Sequence, residues 1–363
     1  MRLIKTSSLV AGDKLSEPIL NENGLVLIQD GVKLTDRMIA RLIKQNINYV
    51  YIQDSHVNSS EISQSSISSE LKIGAMNTIR ETFQDLAEKD ISETSYISDA
   101  TEKKLESTVK SVISEVKEHP SAITMLTDIF LTDDYTFQHS LNVAIYSIAI
   151  GVNIGLSEKE LSELGMGAML HDIGKVFIEQ DILLKEGRLT EEEYNKVKEH
   201  AWLGFEYIRK RTNFSSVIAH CAYQHHERMN GSGYPRGIVA NEIHPYAKII
   251  AVADIFDAMT TNRPYRDALL PHECLELIYS GAVEQYDIQY IKAFKSSIAA
   301  YPNGLFIQLN DGRQGVVKSQ NKNVCDRPII QITEENNVGL AVENQYEVNL
   351  SQEHSLMIVK CIV

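Results

Sequence analysis

The sequence lacks several features, and each absence removes a class of function. There is no CxxC pair: the four cysteines, Cys221, Cys274, Cys325 and Cys361, lie far apart, which excludes a zinc ribbon and reads as free thiols in a reducing compartment. There is no long hydrophobic run. The most apolar stretch, Leu141 to Leu156, falls short of the roughly 20 residues a membrane span needs. It also carries Asn142, Ser147 and Asn153, so it reads as a buried core helix. The start, Met1-Arg2-Leu3-Ile4-Lys5, leads into polar residues and lacks the apolar centre of a signal peptide, so a cytoplasmic protein is expected. Positive charge is also short. A formal net charge of −14 argues against DNA or an anionic membrane as the main partner. It leaves room for a small anionic substrate, because a metal and a few local cations can reverse the field inside one pocket.

What is present divides by pattern. A chain of 363 residues is too long for one simple core, and two or three domains are expected. Residues 1–54 read as a small α+β module, with short strands separated by Gly12-Asp13 and Asn21-Glu22-Asn23-Gly24, a helix over Thr35 to Gln45 and a closing strand Tyr49-Val50-Tyr51-Ile52. It is either a docking or regulatory module or a structural cap. Residues 55–69 are serine-rich and read as a linker, and 70–120 as a charged helical connector.

Residues 121–301 read as almost all helix. Asp133 or Asp134 can cap a helix carrying His139, and Ser157 with Glu160 opens another that ends near His171-Asp172. Thr190 with Glu193 opens a helix expected to carry His200. A helix over Ser215–Glu227 precedes the breaker Gly231-Ser232-Gly233-Tyr234-Pro235, and Asp254 sits inside an apolar helix over Tyr246–Met259. Residues 302–363 alternate like strands, with Asn310-Asp311-Gly312 as a hairpin turn, and form a short β-rich tail. The expected fold class is mainly α.

Six of the eleven histidines fall between His139 and His226. A lone buried histidine is usually a satisfied core residue, so the set carries the reading: His139, His171, Asp172, His200, His225, His226 and Asp254. Imidazole with carboxylate suits first-row divalent ions such as iron, manganese, zinc or cobalt. Five His and two Asp exceed the needs of one tetrahedral zinc. They fit two metals sharing a carboxylate, and Asp172, beside His171, is the natural bridge. Asp254 lies among Ile249, Ile250, Ala251, Val252, Ala253 and Ile255, where a carboxylate is costly unless paired or metal-bound.

Three strings carry a resemblance: His171-Asp172-Ile173-Gly174-Lys175; His225-His226-Glu227 through Gly231-Ser232-Gly233-Tyr234-Pro235; and Asp254 through Arg266. Together they resemble an HD-GYP domain of the HD phosphohydrolase superfamily, over roughly residues 121–301. The resemblance implies an all-helical HD-type catalytic domain and a metal-dependent phosphodiesterase that hydrolyses cyclic di-GMP to pGpG, GMP or both through a metal-bridging hydroxide. It implies two divalent ions, iron or manganese. His139, His171, Asp172 and Asp254 would hold one, and Asp172, His200, His225 and His226 the other. Asp172 and Lys175 would be catalytic. Lys175, Arg263 and Arg266 would hold substrate phosphates, with Gly233, Tyr234 and Pro235 on a loop beside the site that is linked in the family to GGDEF-domain partners.

The departures from the family pattern are Tyr135, where some members place a Glu that helps bind a third metal, Ala201 where Pro is frequent, Asn230 where Asp is usual, and Arg266 where some carry Lys. Without the resemblance, Arg263 and Arg266 have a second reading as solvated loop charges. Glu227 reads either as support for a ligating histidine or as a helix-end charge. The other histidines, His56, His119, His220, His244, His272 and His354, lie off the motif. The competing function is a weakly active or inactive cyclic-dinucleotide sensor or scaffold signalling through the terminal modules or a GGDEF partner. A homodimer is a further expectation.

Overall fold

The computed structural model describes residues 1–21, 25–45, 47–54, 67–87, 97–118, 130–131, 135–185, 187–261, 268–282, 284–321, 324–336 and 338–363. Residues 55–66 of the linker expected over 55–69, the caps Asp133 and Asp134, and the string Asn262–Arg266 with both its arginines lie outside these residues, and Ser69 of that linker begins the first long helix. Of Tyr135 only the backbone is described.

The chain starts with β1 (Arg2–Lys5), β2 (Ile19–Asn21), β3 (Val26–Ile28), α1 (Asp36–Lys44) and β4 (Tyr49–Ile52). Thr35 caps α1 by accepting from the Met38 amide at 3.3 Å. β1 and β4 pair antiparallel, Leu3 opposite Tyr51 and Ile4 opposite Val50. All four residues of β4 are buried because both faces are covered. Leu3, Tyr49 and Tyr51 face the C-terminal strands, while Ile4, Val50 and Ile52 join Leu15, Ile39 and Leu42 under α1.

The helical body begins with α2 (Ser69–Ala87) and α3 (Asp99–Glu118), read from sequence as a connector. On α3, Leu105, Val109, Val112, Ile113 and Val116 form a buried stripe at helical spacing. With Met76, Ile79 and Phe83 of α2 they enter the same core as the helices that follow. At about 2 kcal/mol for each fully buried aliphatic side chain, that stripe anchors the pair firmly. After β5 (Phe130–Leu131) come α4 (Tyr135–Asn153), α5 (Glu158–Met169), α6 (Gln180–Leu183), α7 (Glu191–Lys198), α8 (His200–Arg211), α9 (Ser216–Gln224), α10 (Pro245–Thr260), α11 (Pro271–Ser280) and α12 (Ile288–Lys295). α4 is the apolar run of the sequence, and Val143, Ala144, Ile145, Ile148 and Ile150 on it are buried around its whole circumference. It packs on α5, α10 and α2. No helix among the described residues is long and apolar enough to cross a membrane.

Both expected capping boxes form, at Ser157–Glu160 and Thr190–Glu193. The helix opened by Thr190 ends at Lys198, however, so His200 starts a separate helix instead of ending that one.

The tail contains β6 (Phe306–Leu309), β7 (Gln314–Ser319), β8 (Ile329–Glu335), β9 (Val338–Gly339), β10 (Tyr346–Asn349) and β11 (Ile358–Ile362). They form one antiparallel sheet in the order β10-β8-β7-β6-β11, with β9 on β8. The tail and the N-terminal module share a core. The Leu3 amide donates to the Gly304 carbonyl at 2.8 Å, and the Tyr51 hydroxyl donates to the Asn303 carbonyl at 3.0 Å. The fold is mainly α, with most of the β structure at the two ends of the chain and β5 between them, paired parallel with β2.

Candidate metal centre

Five helices and two turns converge on one point. His139 lies one turn into α4. His171 and Asp172 occupy the turn between α5 and a short 3-10 helix at Ile173–Phe177. His200 opens α8, His225 and His226 close α9, and Asp254 lies in the middle of α10. Gly174 makes this convergence possible. A Cβ there would stand 1.9 Å from the His200 carbonyl oxygen and 2.6 Å from the Gly204 amide, so only glycine lets α8 approach the His171-Asp172 turn this closely.

The seven residues form two adjoining groups. Asp172, His200, His225 and His226 make one; His139, His171 and Asp254 make the other, and within each the candidate ligand atoms lie within 4.8 Å of one another. Asp172 faces both. Its Oδ1 is 3.4 Å from His200 Nε2 and 3.8 Å from His225 Nε2. Its Oδ2 is 3.4 Å from His171 Nε2 and 3.6 Å from His139 Nε2. His139 Nε2 is also 3.2 Å from Asp254 Oδ1, and His226 Nδ1 is 3.9 Å from Asp254 Oδ2.

Tautomers follow from the outer partners. His171, His200 and His225 each donate Nδ1–H to the backbone carbonyl three residues earlier, those of Ala168, Val197 and Ala222, at 2.7, 2.5 and 2.8 Å. A carbonyl only accepts, so each Nε2 presents a bare lone pair to the centre. The Nε2 atoms of His200 and His225 face each other at 3.3 Å with no proton available between them. His171 Nε2 and Asp172 Oδ1 are buried without a hydrogen-bond partner. Leaving such groups unsatisfied costs about 1–3 kcal/mol each. Opposed lone pairs on nitrogen and an orphaned carboxylate oxygen are what a shared divalent cation would satisfy, so the residues fit the metal pair that the sequence implies.

His139 is backed differently. Its Nδ1 donates to Asp257 Oδ2 at 2.7 Å, and Asn142 Nδ2 holds the other Asp257 oxygen at 2.8 Å. Asp257 was missed in the sequence reading. Its signal was available, since it is a second carboxylate in the apolar run of α10, one turn after Asp254, and it is buried.

Burial governs the electrostatics. It disfavours a charged His139, but hydrogen bonds and negative charge from Asp254 and Asp257 outweigh it and push the imidazole up to about 9. Burial lowers His200 to about 4 despite Asp172, and lowers His171, His225 and His226 as well. Burial would raise Asp172, but Lys175 and the surrounding imidazoles hold it well below the usual carboxylate range; at Asp254 the His139 hydrogen bond does the same.

Lys175 reaches Asp172 Oδ2 with its ammonium and keeps about 30% of its side chain exposed, so it stands between the buried centre and solvent. The loop after α9 is pinned by Glu227, which is buried and accepts from the Arg236 and Ile238 amides at 2.8 and 3.1 Å. The reading of Glu227 as a helix-end surface charge is therefore corrected: its buried carboxylate holds the loop. A Cβ on Gly233 would meet the His226 carbonyl oxygen at 2.4 Å, so glycine is needed there. That approach stacks Tyr234 on His226, with ring centres 4.5 Å apart.

Comparison with known proteins agrees with this geometry. Residues 107–289, half of the chain, match the HD domain, and residues 306–363 match the KOW domain associated with HD domains. A cyclic di-GMP phosphodiesterase of Pseudomonas aeruginosa, PA4108, is 31% identical over 226 residues, 62% of this chain and 54% of that protein. The cyclic di-GMP phosphodiesterase response regulator RpfG of Xanthomonas campestris pv. campestris is 41% identical over 145 residues, 40% of this chain and 38% of that one. The 3'3'-cGAMP-specific phosphodiesterase 3 of Vibrio cholerae is 36% identical over 169 residues, 47% of this chain and 36% of its own length. The chain thus spans about half or less of the length of these relatives. With its paired His/Asp clusters, its Gly-Tyr-Pro loop and its matched segment, the chain belongs to the HD domain family, in the HD-GYP branch.

Proposed function

We propose that the protein is a metal-dependent cyclic-dinucleotide phosphodiesterase that hydrolyses cyclic di-GMP. The observation that carries this reading is Asp172, a buried carboxylate with one oxygen turned to each histidine cluster. His139, His171, Asp172 and Asp254 would hold one ion, and Asp172, His200, His225 and His226 the other. A bound pair of divalent ions supplies a water-derived nucleophile near neutral pH and neutralises phosphodiester charge.

The chain's own residues do the rest. The carbonyl-backed imidazoles are held neutral, the form that ligates. Lys175 stands at the mouth of the centre, where an ammonium can hold a non-bridging phosphate oxygen and deliver a proton to the departing 3′ oxygen. Arg263 and Arg266 are proposed as further phosphate holders on sequence grounds. Tyr234 closes one wall by stacking on His226.

Iron or manganese is the proposed metal, pGpG or GMP the proposed product, and the cytoplasm the proposed location. A GGDEF-domain protein and a second copy of the chain are the proposed partners. The division at 1–54, 55–69, 70–120, 121–301 and 302–363 is kept as a proposal, with the note that α2 and α3 share the catalytic core.

The test is to load protein with Fe²⁺ or Mn²⁺ under reducing, low-oxygen conditions, measure metal per chain, and follow cyclic di-GMP by chromatography. About two ions per chain and a pGpG product are expected. A metal-loaded protein that binds the dinucleotide without turnover would overturn the reading in favour of a sensor.

A further inference from the structure

Beside the metal centre lies a groove that the proposed reaction has not used. It encloses about 370 Å³ and is lined by Asn195, Lys198, Glu199, Trp202, Tyr234 and Pro235. That is within the range of small-ligand sites. Asn195, Lys198, Glu199 and Trp202 share one face across the α7–α8 junction, at helical spacing. Trp202 is the single tryptophan of the chain and is 49% exposed. Tyr234 belongs to both places: its ring stacks on His226 and also lines the groove. The groove therefore begins one side chain away from a proposed metal ligand. Lys198 lies 5.0 Å from the ring centre of Tyr194 and 6.0 Å from that of Tyr234.

We propose that this groove is the subsite for a guanine base of the substrate, with Trp202 as its stacking platform and Glu199 as the residue that selects guanine. The proposal rests on the phosphodiesterase reading and names what that site prefers.

The chemistry is specific. A phosphodiester seated at the metal centre must place its attached nucleoside to one side, and the Tyr234 wall leads directly into the groove. Unstacked bases are held on aromatic faces and read on their Watson–Crick edges. Guanine offers two adjacent donors on that edge, N1–H and the 2-amino group, and a carboxylate accepts both. Adenine offers a bare N1 lone pair at the same place, which a carboxylate repels. Glu199 is exposed on the groove wall with its carboxylate open to such a ligand. Lys198 offsets its charge, so that an anionic dinucleotide is not turned away.

The single tryptophan makes the test direct. In metal-loaded protein, emission from Trp202 is titrated with hydrolysis-resistant bisphosphorothioate analogues of cyclic di-GMP and cyclic di-AMP. The guanine analogue should quench saturably and bind at least about 10-fold tighter than the adenine analogue, and Glu199→Ala should erase that difference. Trp202→Ala should lower kcat/KM for cyclic di-GMP by about 10–100-fold relative to bis(p-nitrophenyl) phosphate, which has no base, and Trp202→Phe should recover most of the loss.

A guanine analogue that inhibits hydrolysis without quenching would overturn the proposal. So would a Trp202→Ala variant that affects both substrates in the same proportion. Free GMP that quenches as tightly as the analogue without inhibiting hydrolysis would make the groove an effector site, and the subsite would again be overturned. If loaded wild-type protein hydrolyses neither cyclic di-GMP nor bis(p-nitrophenyl) phosphate, the catalytic reading falls. The fluorescence titration then decides the groove on its own.

Discussion

The histidines of the candidate metal centre are backed in two different ways. His171, His200 and His225 lean on backbone carbonyls, whereas His139 leans on the Asp257 carboxylate. A carbonyl fixes a tautomer without supplying a charge, so burial keeps those imidazoles neutral and ready to ligate. A carboxylate behind His139 and another in front of it hold a proton on the ring, with its pKa at about 9. The three carbonyl-backed imidazoles are therefore ready to ligate near neutral pH, while His139 must lose a proton first. Asp172 couples them.

The largest expected effect comes from removing what they share. Asp172→Ala should lower cyclic di-GMP turnover by more than about 10³-fold, the scale seen when a group central to charge stabilisation is lost. It should also reduce bound metal in both clusters, as read by elemental analysis. Retention of two ions and wild-type turnover would break the comparison at its root.

Gly174→Ala comes next. The added methyl group meets the His200 backbone, so α8 must shift, at a cost of about 1–3 kcal/mol or more. Thermal melting should drop, and metal should be lost first from the cluster that contains His200. Asp257→Asn keeps an acceptor for His139 while removing the charge. It should weaken metal at the His139 cluster by about 10–100-fold and leave the other cluster loaded. Titration calorimetry resolves the two, and equal weakening of both would refute the assignment of separate backings.

The smallest effect is on the metal-free protein. His139 is raised from its ordinary 6.5 to about 9, so its stabilising contribution is complete below about pH 6.5 and is lost as pH rises toward 9. His200 is lowered to about 4, so the unfolded chain takes up its proton first, and stability falls as pH drops from 6.5 toward 4. Chelated protein should melt highest near pH 6.5, and Asp257→Asn should flatten the alkaline side. A melting profile that rises throughout pH 4–9 would contradict the His139 shift, and one that falls throughout would contradict the His200 shift.

The candidate ligands were legible because their chemistry is rare where it occurs. Asp254 in an apolar helix and the adjacent His225 and His226 need a partner wherever the chain folds, and the structure brings all seven residues together. The break before His200 was not legible. Lys198-Glu199-His200 contains no helix breaker, and the Gly174 turn that lies against the His200 carbonyl is remote in sequence. Asp257 was legible in principle, as a second buried carboxylate one turn on. Helices α2 and α3 read as a connector because their charged faces dominate the composition, although the stripe from Leu105 to Val116 shows a packed face. The pairing of Leu3 with Leu305 could not be read, because nothing local to either residue reports a partner some 300 positions away.

That last contact has a topological consequence. Met1, Leu3, Tyr49 and Tyr51 lie in one core with Leu305, Ile307, Val317 and Ile332, and the Ser8 hydroxyl donates to the Val363 carbonyl at 3.4 Å. The helical body is therefore an insertion within a single β unit whose two halves are encoded at opposite ends of the sequence. Such a unit can close only after the whole intervening stretch has been made. A circular permutant that joins residue 363 to residue 1 would turn this non-local closure into a local one.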